Sequence, residues 1–262
     1  MDGIVVGRLF GAHSLGLYNR SNQLLSLPSL YIAAPLNQVG LVTLSRLRAE
    51  SAQVTRHAAS TVTVIAHLVL PLFAICFVLP NETVRLVLGS QWPESAPLLR
   101  ILSVAAAATT IASLGYTVAV AQGQTRRLVL AAAISLPLTL VAVWLGSRDG
   151  PLGVARSVSL ATLILLLPRL WWVLRELPQG FASYLRALAG PLLSSLVAAA
   201  GMYVCSQWMA ETSWLLRLIS SLGAGIFGAA LLAILSPALR TEWRSVAELL
   251  PLSGSRREAA LG

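Results

Sequence analysis

The chain has 262 residues, of which 56% are hydrophobic and only 11% are charged, and its formal net charge is +9. Soluble globular domains carry about 25% charged residues, so this composition excludes an ordinary soluble domain. All 19 basic residues are arginines at the ends of apolar stretches. A nucleic-acid binder would cluster them on a polar domain, so we expect membrane lipid as a partner and no nucleic acid.

Stretches of 20 to 25 residues without a charged side chain recur along the chain. A helix needs roughly 20 largely apolar residues to cross the hydrocarbon core of a bilayer. We therefore predict an all-α integral membrane protein, a polytopic bundle of about seven transmembrane helices. The predicted spans are residues 21–44, 58–79, 101–121, 128–145, 152–173, 187–208 and 218–235.

Residues 4–10 form a further apolar piece that Arg8 interrupts and that is too short to cross a bilayer. We interpret it as the end of a truncated helix. The expected organisation is therefore this helix end and an outer loop in 1–17, a helix bundle in 18–175, two additional membrane helices in 176–236, and a partly disordered tail in 237–262. In the fifth span, Arg156 and Arg169 lie near the ends, where arginines snorkel to headgroups.

The arginines also predict the orientation of the chain, because cytoplasmic loops of membrane proteins carry the excess of basic residues. One set of alternate connections, together with the tail, holds 12 of the 19 arginines, and the opposite set holds single arginines diluted by acidic residues. We therefore expect residues 11–20 and 81–97 outside and the C-terminus in the cytoplasm.

Several motifs then point to a family. Residues 2–11 (DGIVVGRLFG) precede 15–20 (LGLYNR), and 84–92 (VRLVLGSQW) precede 96–102 (APLLRIL). Further on come Gly123 and 150–155 (GPLGVA). In this order the motifs resemble the second half of bacterial polysaccharide flippases of the O-antigen, capsule and exopolysaccharide types. These belong to the multidrug/oligosaccharidyl-lipid/polysaccharide (MOP) superfamily.

The resemblance implies a fold of two six-helix lobes around a central cavity, often followed by two further helices. This chain then corresponds to the C-terminal lobe, and its expected partner is a missing N-terminal lobe. The implied function is the flipping of a lipid-linked oligosaccharide, a polyprenyl-pyrophosphate glycan, across the bacterial inner membrane by alternating access. Such a flippase serves the biosynthesis of lipopolysaccharide or another surface polysaccharide.

The first full span carries a stripe of polar and small residues at helical spacing: Asn19, Gln23, Ser26, Ala33, Asn37 and Gly40. Amides find no hydrogen-bonding partner in lipid, so this face should contact protein or water. The first interpretation is that Asn19, Gln23, Ser26 and Asn37 line the cavity through which sugar hydroxyls pass. The alternative is that the amides only join neighbouring helices through interhelical hydrogen bonds.

The pyrophosphate that the resemblance implies needs a cation. Arg8, Arg20 and Arg156 are the candidates by position, because a guanidinium donates two parallel hydrogen bonds to phosphate oxygens. The alternative is that each arginine binds the phosphate of ordinary membrane lipid at the interface.

An enzyme is not expected. The full spans contain no carboxylate, and no paired histidine and acid pattern suggests catalysis, a metal site or a cofactor. Two alternatives to a polysaccharide flippase remain open: a small-molecule or drug exporter of the same superfamily, and a scaffold within a polysaccharide-synthesis complex that does not itself transport.

Overall fold

The structure is a computed structural model that describes residues 2–46, 51–121, 123–175, 180–209 and 211–235. Within these ranges the chain is helical and contains no strand. The expected all-α polytopic membrane protein is thereby confirmed. The α-helices are α1 (Asp2–Pro28), α2 (Ala34–Arg46), α3 (Ser51–Val78), α4 (Pro80–Val87), α5 (Ser95–Ala121), α6 (Thr125–Gly146), α7 (Gly150–Leu174), α8 (Gly180–Trp208) and α9 (Trp214–Leu235).

Six apolar stretches of the described chain are long enough to cross a membrane by length and composition. One of them, Thr125–Leu174, has 50 residues and contains both α6 and α7. The chain reverses at the short turn Ser147–Asp149, and at the other end Arg127 Nη1 donates a hydrogen bond to Trp172 O at 3.4 Å. Because α6 and α7 are antiparallel, this stretch supplies two crossings, and the structure accommodates the seven predicted spans.

The helix α1 is broken at Gly11, which has φ 81° and ψ 178°. Only glycine adopts this conformation readily, since a side chain would meet the backbone. Residues before the break run antiparallel to those after it, and the Tyr18 hydroxyl donates a hydrogen bond to Asp2 Oδ2 at 2.6 Å. Residues 12–17, expected in an outer loop, are therefore helical, because Gly11 alone reverses the chain.

A π turn, Ser29–Ala33, separates α1 from α2. The Ala34 N–H donates to Ser29 O, five residues earlier, in place of the usual four. Pro35 follows immediately and has no N–H to donate, so the regular helical pattern cannot continue there. One extra residue rotates the later side chains by about 100° around the helix axis. Between Pro28 and Pro35 the first span therefore changes the face that its side chains present.

The core of the bundle lies around α5, which packs against α1, α2, α3 and α7. Alanine, serine and glycine occupy much of α5, so neighbouring helices approach closely. In the C-terminal half of α5, the buried Tyr184 of α8 donates its hydroxyl to Ile111 O, and Leu170 of α7 lies against Gly115. Few side chains of α5 remain available to lipid, and it forms the fixed centre of the lobe.

The last two helices, α8 and α9, form an antiparallel hairpin that joins the bundle through α3. Thr63 of α3 donates its hydroxyl to Ala187 O of α8 at 2.9 Å. At the other end of the hairpin, Arg217 Nη2 lies 2.8 Å from Glu82 Oε1 of α4, and the Glu82 side chain is only 6% exposed. A largely buried ion pair therefore ties α9 to the short helix α4.

Arginines stack on tryptophans at both ends of the helices. The guanidinium carbon of Arg20 lies 5.5 Å from the Trp92 ring, that of Arg148 lies 4.9 Å from Trp144, and that of Arg175 lies 4.4 Å from Trp172. Tryptophan and arginine are enriched where a membrane protein crosses the headgroup layers. These pairs mark the two edges of the membrane-embedded part. Which edge is cytoplasmic remains a prediction from the arginine count.

The orientation can be tested by cysteine labelling in a variant that lacks Cys76 and Cys205. Ser90 lies in the turn after α4 and Thr125 begins α6, and both residues are exposed. With a membrane-impermeant maleimide added from outside, we expect Ser90→Cys to be labelled and Thr125→Cys to be labelled only after the membrane is permeabilised. The opposite pattern would show that the C-terminus lies outside.

Candidate functional site

A polar pocket lies between α1, α5 and α7. It consists of two adjoining hollows of about 390 and 310 Å³, and both hollows are lined by Asp2 and Asn22. Most of the polar lining comes from hydroxyl and amide side chains. The polar residues are Asp2, Tyr18, Asn19, Asn22, Ser26, Ser29, Thr109, Thr110 and Thr162.

Hydrogen bonds hold the walls of the polar pocket. Ser29 Oγ and Thr110 Oγ1 lie 2.9 Å apart and join α1 to α5 near the π turn. At the other end, Ser21 Oγ donates to Ser95 O at 3.2 Å. Thr110 and Ser21 are buried, whereas Asn19 and Ser26 stay exposed beside them. The pocket therefore has a fixed wall and an open polar rim.

The predicted stripe does not form one continuous face. Asn19, Gln23 and Ser26 are exposed, but Ala33 is 3% exposed, and a Cβ placed on Gly40 would lie 2.8 Å from Thr61 Cγ2. The reason is the π turn, which the spacing rule for a regular helix does not include. The expectation of a single stripe is corrected accordingly: an exposed amide face before the turn and a packed face after it. Asn37 is half-buried in α2.

Arg20, one of the three predicted arginines, lies next to Asn19 on α1 and is not among the residues that line the polar pocket. It is exposed, donates a hydrogen bond from Nη1 to Gln23 Oε1 at 3.1 Å, and stacks on Trp92. Arg20 and Gln23 are thus joined on the same side of α1. A planar guanidinium held in this way keeps donors available for an anion.

The structure does not bring Arg8 and Arg20 together. A Cβ placed on Gly7 would lie 2.9 Å from Leu15 Cδ2, and Asp2 pairs with Tyr18. These contacts align residues 2–7 with residues 15–18 of the antiparallel segment. Arg8 therefore lies near the Gly11 turn, about six residues or roughly 9 Å along the helix axis from Arg20. Arg156 is exposed on α7, which begins at Gly150. Arg8 and Arg20 are therefore separated along α1, and Arg156 belongs to a different helix.

Sequence reasoning missed Asn22, Thr109 and Thr162. Each is a common type of residue in a membrane helix, and they come from positions far apart in the chain. Asn22 lies three residues after Asn19 and four before Ser26, so helical spacing was a signal for it that the predicted stripe passed over. Only the packing of α1, α5 and α7 shows that these side chains line one pocket.

The chemistry of the polar pocket is that of neutral hydrogen bonding, with Asp2 as its carboxylate. Within the described ranges, no group of three or more histidine, cysteine, aspartate or glutamate residues is placed to hold a metal ion. Hydroxyls and amides both donate and accept hydrogen bonds. Such a surface suits a ligand rich in hydroxyl groups, and Arg20, which is bonded to Gln23 of the exposed amide face, suits an anionic group.

Comparison with known proteins gives three findings. Residues 1–97 match the model of a family described as "Polysaccharide biosynthesis protein". The chain is 24% identical over 104 residues to the teichuronic acid biosynthesis protein TuaB of Bacillus subtilis (strain 168), which is 40% of this chain and 22% of that protein. The fold resembles the lipid II flippase MurJ in its inward closed conformation, with a TM-score of 0.64 and 14% identity.

The structural likeness covers 88% of this chain but 50% of the MurJ chain, so the chain spans about half the length of that flippase. At 14% identity this likeness establishes the fold alone, which is that of a polytopic helical membrane protein. The family match covers the segment with the first motifs and α1 to α4. The resemblance to the polysaccharide flippases of the MOP superfamily that the sequence predicts is thereby confirmed as a resemblance.

Proposed function

We propose that this chain forms the C-terminal lobe of a flippase in the bacterial inner membrane. The flippase moves a lipid-linked oligosaccharide, carried on a polyprenyl pyrophosphate, from the inner to the outer leaflet. The second, N-terminal lobe supplies the opposite wall of the cavity. The family match, the flippase fold and the half-length coverage of MurJ all support this proposal.

The observation that carries the proposal is the exposed amide face of α1. Asn19, Gln23 and Ser26 are exposed in a stretch that is otherwise apolar enough to enter a membrane. Gln23 Oε1 accepts from Arg20 and the Ser26 hydroxyl donates to Gln23 O. Lipid offers nothing to the amide N–H groups of Asn19 and Gln23, and an unsatisfied group costs about 1 to 3 kcal/mol. The face therefore requires water or another protein surface. A cavity between two lobes provides both.

The polar pocket supplies the chemistry that a glycan needs. Its hydroxyls and amides exchange hydrogen bonds with sugar hydroxyls, and each bond contributes only about 1 kcal/mol net, so a sugar is held weakly and released. Arg20 beside Gln23 offers a charged donor to the pyrophosphate. Weak hydrogen bonds from the pocket and one charged contact from Arg20 suit a surface over which a large glycan head group moves during transport.

Alternating access requires that the two lobes tilt relative to each other. The fixed centre around α5 allows this lobe to move as one body, while the π turn breaks the first span close to the polar pocket. Short π segments interrupt helices most often at functional sites. We place the bend that accompanies rocking at Ser29–Ala33.

The role of Arg20 is tested in the chain joined to an N-terminal lobe. We expect Arg20→Ala to lower export of the lipid-linked glycan at least about tenfold, because a charge-assisted hydrogen bond to phosphate contributes about 1.5 to 3 kcal/mol. Arg20→Lys should restore only part of the activity, since an ammonium lacks the planar fork. The measurement is surface polysaccharide per amount of membrane-inserted protein.

The matched control is Arg85→Ala. Arg85 also stacks on a tryptophan, with its guanidinium carbon 4.8 Å from the Trp214 ring, but it lies on α4 and not on the amide face of α1. Export within twofold of the parent is expected for this variant. Equal export by the Arg20→Ala and Arg85→Ala variants would remove Arg20 from the proposed path.

A further inference from the structure

A second group of charged and aromatic side chains lies at the opposite end of the lobe, where α5, α6 and α7 meet. The guanidinium carbon of Arg169 lies 5.6 Å from the Tyr116 ring, and that of Arg175 lies 4.4 Å from the Trp172 ring. Arg127 Nη1 donates to Trp172 O. We call these five residues, Tyr116, Arg127, Arg169, Trp172 and Arg175, the inner basic cluster.

Two N–H donors of the inner basic cluster, Arg169 Nε and Trp172 Nε1, are buried without a hydrogen-bond partner, and the Tyr116 hydroxyl interacts with the Arg169 guanidinium. Leaving a buried polar group unsatisfied costs about 1 to 3 kcal/mol, and more for a charged one. Arg169 and Trp172 are three residues apart on α7 and face the same side. Two buried N–H donors and a hydroxyl that converge on one seam call for an acceptor with several oxygens.

The surrounding charge favours an anion. The carboxylates in the described ranges belong to the other end of the helices or to the polar pocket: Asp2, Glu82, Glu94, Asp149 and Glu211. Glu176 follows Arg175 in the sequence and lies outside the described residues. Arg127 and Arg175 make further contacts, so the inference rests on Arg169. Arginine stays charged at any physiological pH, and its positive charge here lies inside an apolar stretch.

The inner basic cluster continues the wall of the polar pocket. Thr109 of α5 and Thr162 of α7 line that pocket, and Tyr116 and Arg169 lie seven residues further along the same two helices. Residues seven apart occupy nearly the same face of a helix. Polar side chains therefore follow the seam between α5 and α7 from the pocket to the inner headgroup layer.

We propose that Arg169, with Tyr116 and Trp172, binds the phosphate group of a lipid in the inner leaflet. This inference rests on the proposed function, in which the substrate enters from that leaflet with its pyrophosphate at headgroup depth. The guanidinium fork matches phosphate oxygens, and the indole N–H and tyrosine hydroxyl supply neutral donors to the same group. In the proposed transport, this site binds the lipid phosphate at the inner leaflet, and Arg20 binds it later, at the other end of the helices.

Binding to the purified chain tests the site without any transport step. The probes are geranylgeranyl pyrophosphate, phosphatidylglycerol and sodium pyrophosphate, and the readout is tryptophan fluorescence, since Trp171 and Trp172 adjoin the site. We expect Arg169→Gln to weaken the affinity for the polyprenyl pyrophosphate at least about tenfold, and Arg169→Lys to lie between this variant and the parent. The fluorescence-detected unfolding temperature shows that both variants remain folded.

Arg148→Gln is the matched control. Arg148 lies at the opposite end of the α6–α7 hairpin and also stacks on a tryptophan, Trp144. Its replacement should leave the affinity within twofold. If the chain binds geranylgeranyl pyrophosphate more tightly than phosphatidylglycerol, the site belongs to the substrate. If it binds both lipids with equal affinity, and Arg169→Gln weakens both, the site belongs to anionic membrane lipid.

Two outcomes overturn the inference: no saturable binding of either lipid to the parent chain, or equal affinities of the parent and Arg169→Gln. Binding of sodium pyrophosphate alone would also contradict a lipid phosphate site. The proposed function is judged separately by export. If export fails while Arg169-dependent binding persists, the phosphate site stands and the transport proposal falls.

Discussion

Replacement of Gly153 by valine is expected to prevent α6 and α7 from packing. A Cβ on Gly153 would lie 2.3 Å from Gly146 O and 2.6 Å from Asp149 Cβ, both too close for any side chain. The reciprocal Cβ on Gly146 would lie 2.5 Å from Gly153 O. The contact is between two backbones, so no rotamer change relieves it. Overpacking of this kind costs about 1 to 3 kcal/mol, and backbone contacts fall at the upper end.

The measurement is thermal unfolding of the purified chain in detergent. A loss of about 2 to 3 kcal/mol corresponds to a melting temperature lowered by about 5 to 10 °C for a chain of this size. The control is Gly223→Val in α9, where a Cβ would meet nothing within 4 Å. Equal melting temperatures for the Gly153→Val and Gly223→Val variants would contradict the close α6–α7 contact.

Much of this fold follows from the sequence because the membrane imposes a simple rule. Six of the seven predicted spans fall within one helix to within a residue, and the first, 21–44, runs through α1, the π turn and α2. A charge-free run of 20 residues has few other ways to satisfy its backbone in lipid. The places where the chain reverses direction or a helix changes its face were harder to predict. Gly11 makes its turn alone, so 12–17 is helical, and the π turn at Ser29–Ala33 changes the face of the first span.

The site was only partly predictable, for a different reason. Asn19, Gln23 and Ser26 share a face of one helix, and periodicity reveals such a set. The polar pocket also needs Thr109 and Thr162, which reach it through the packing of three helices. Arg169 looked like an interfacial arginine because its distance from the helix end is all that the sequence shows. Its unsatisfied Nε and its contact with Tyr116 appear only in the structure.

The second large effect concerns transport by the chain alone. The exposed amide face of α1 and the open rim of the polar pocket need an opposing surface before they enclose a path. We therefore expect this chain, expressed by itself in a bacterial strain that lacks its polysaccharide flippase, to insert into the membrane and to export no glycan. Co-expression with the N-terminal lobe of a family flippase should restore export.

The most direct measurement is surface polysaccharide in that strain with three expressions: this chain, the N-terminal lobe, and both together. Membrane fractions confirm that each lobe is present at the same level. The account predicts polysaccharide at the surface only when both lobes are present, and its loss when Arg20→Ala is introduced into this chain. Full export by this chain alone, or no export although both lobes are stably inserted, would contradict its role as one lobe of a lipid-linked oligosaccharide flippase.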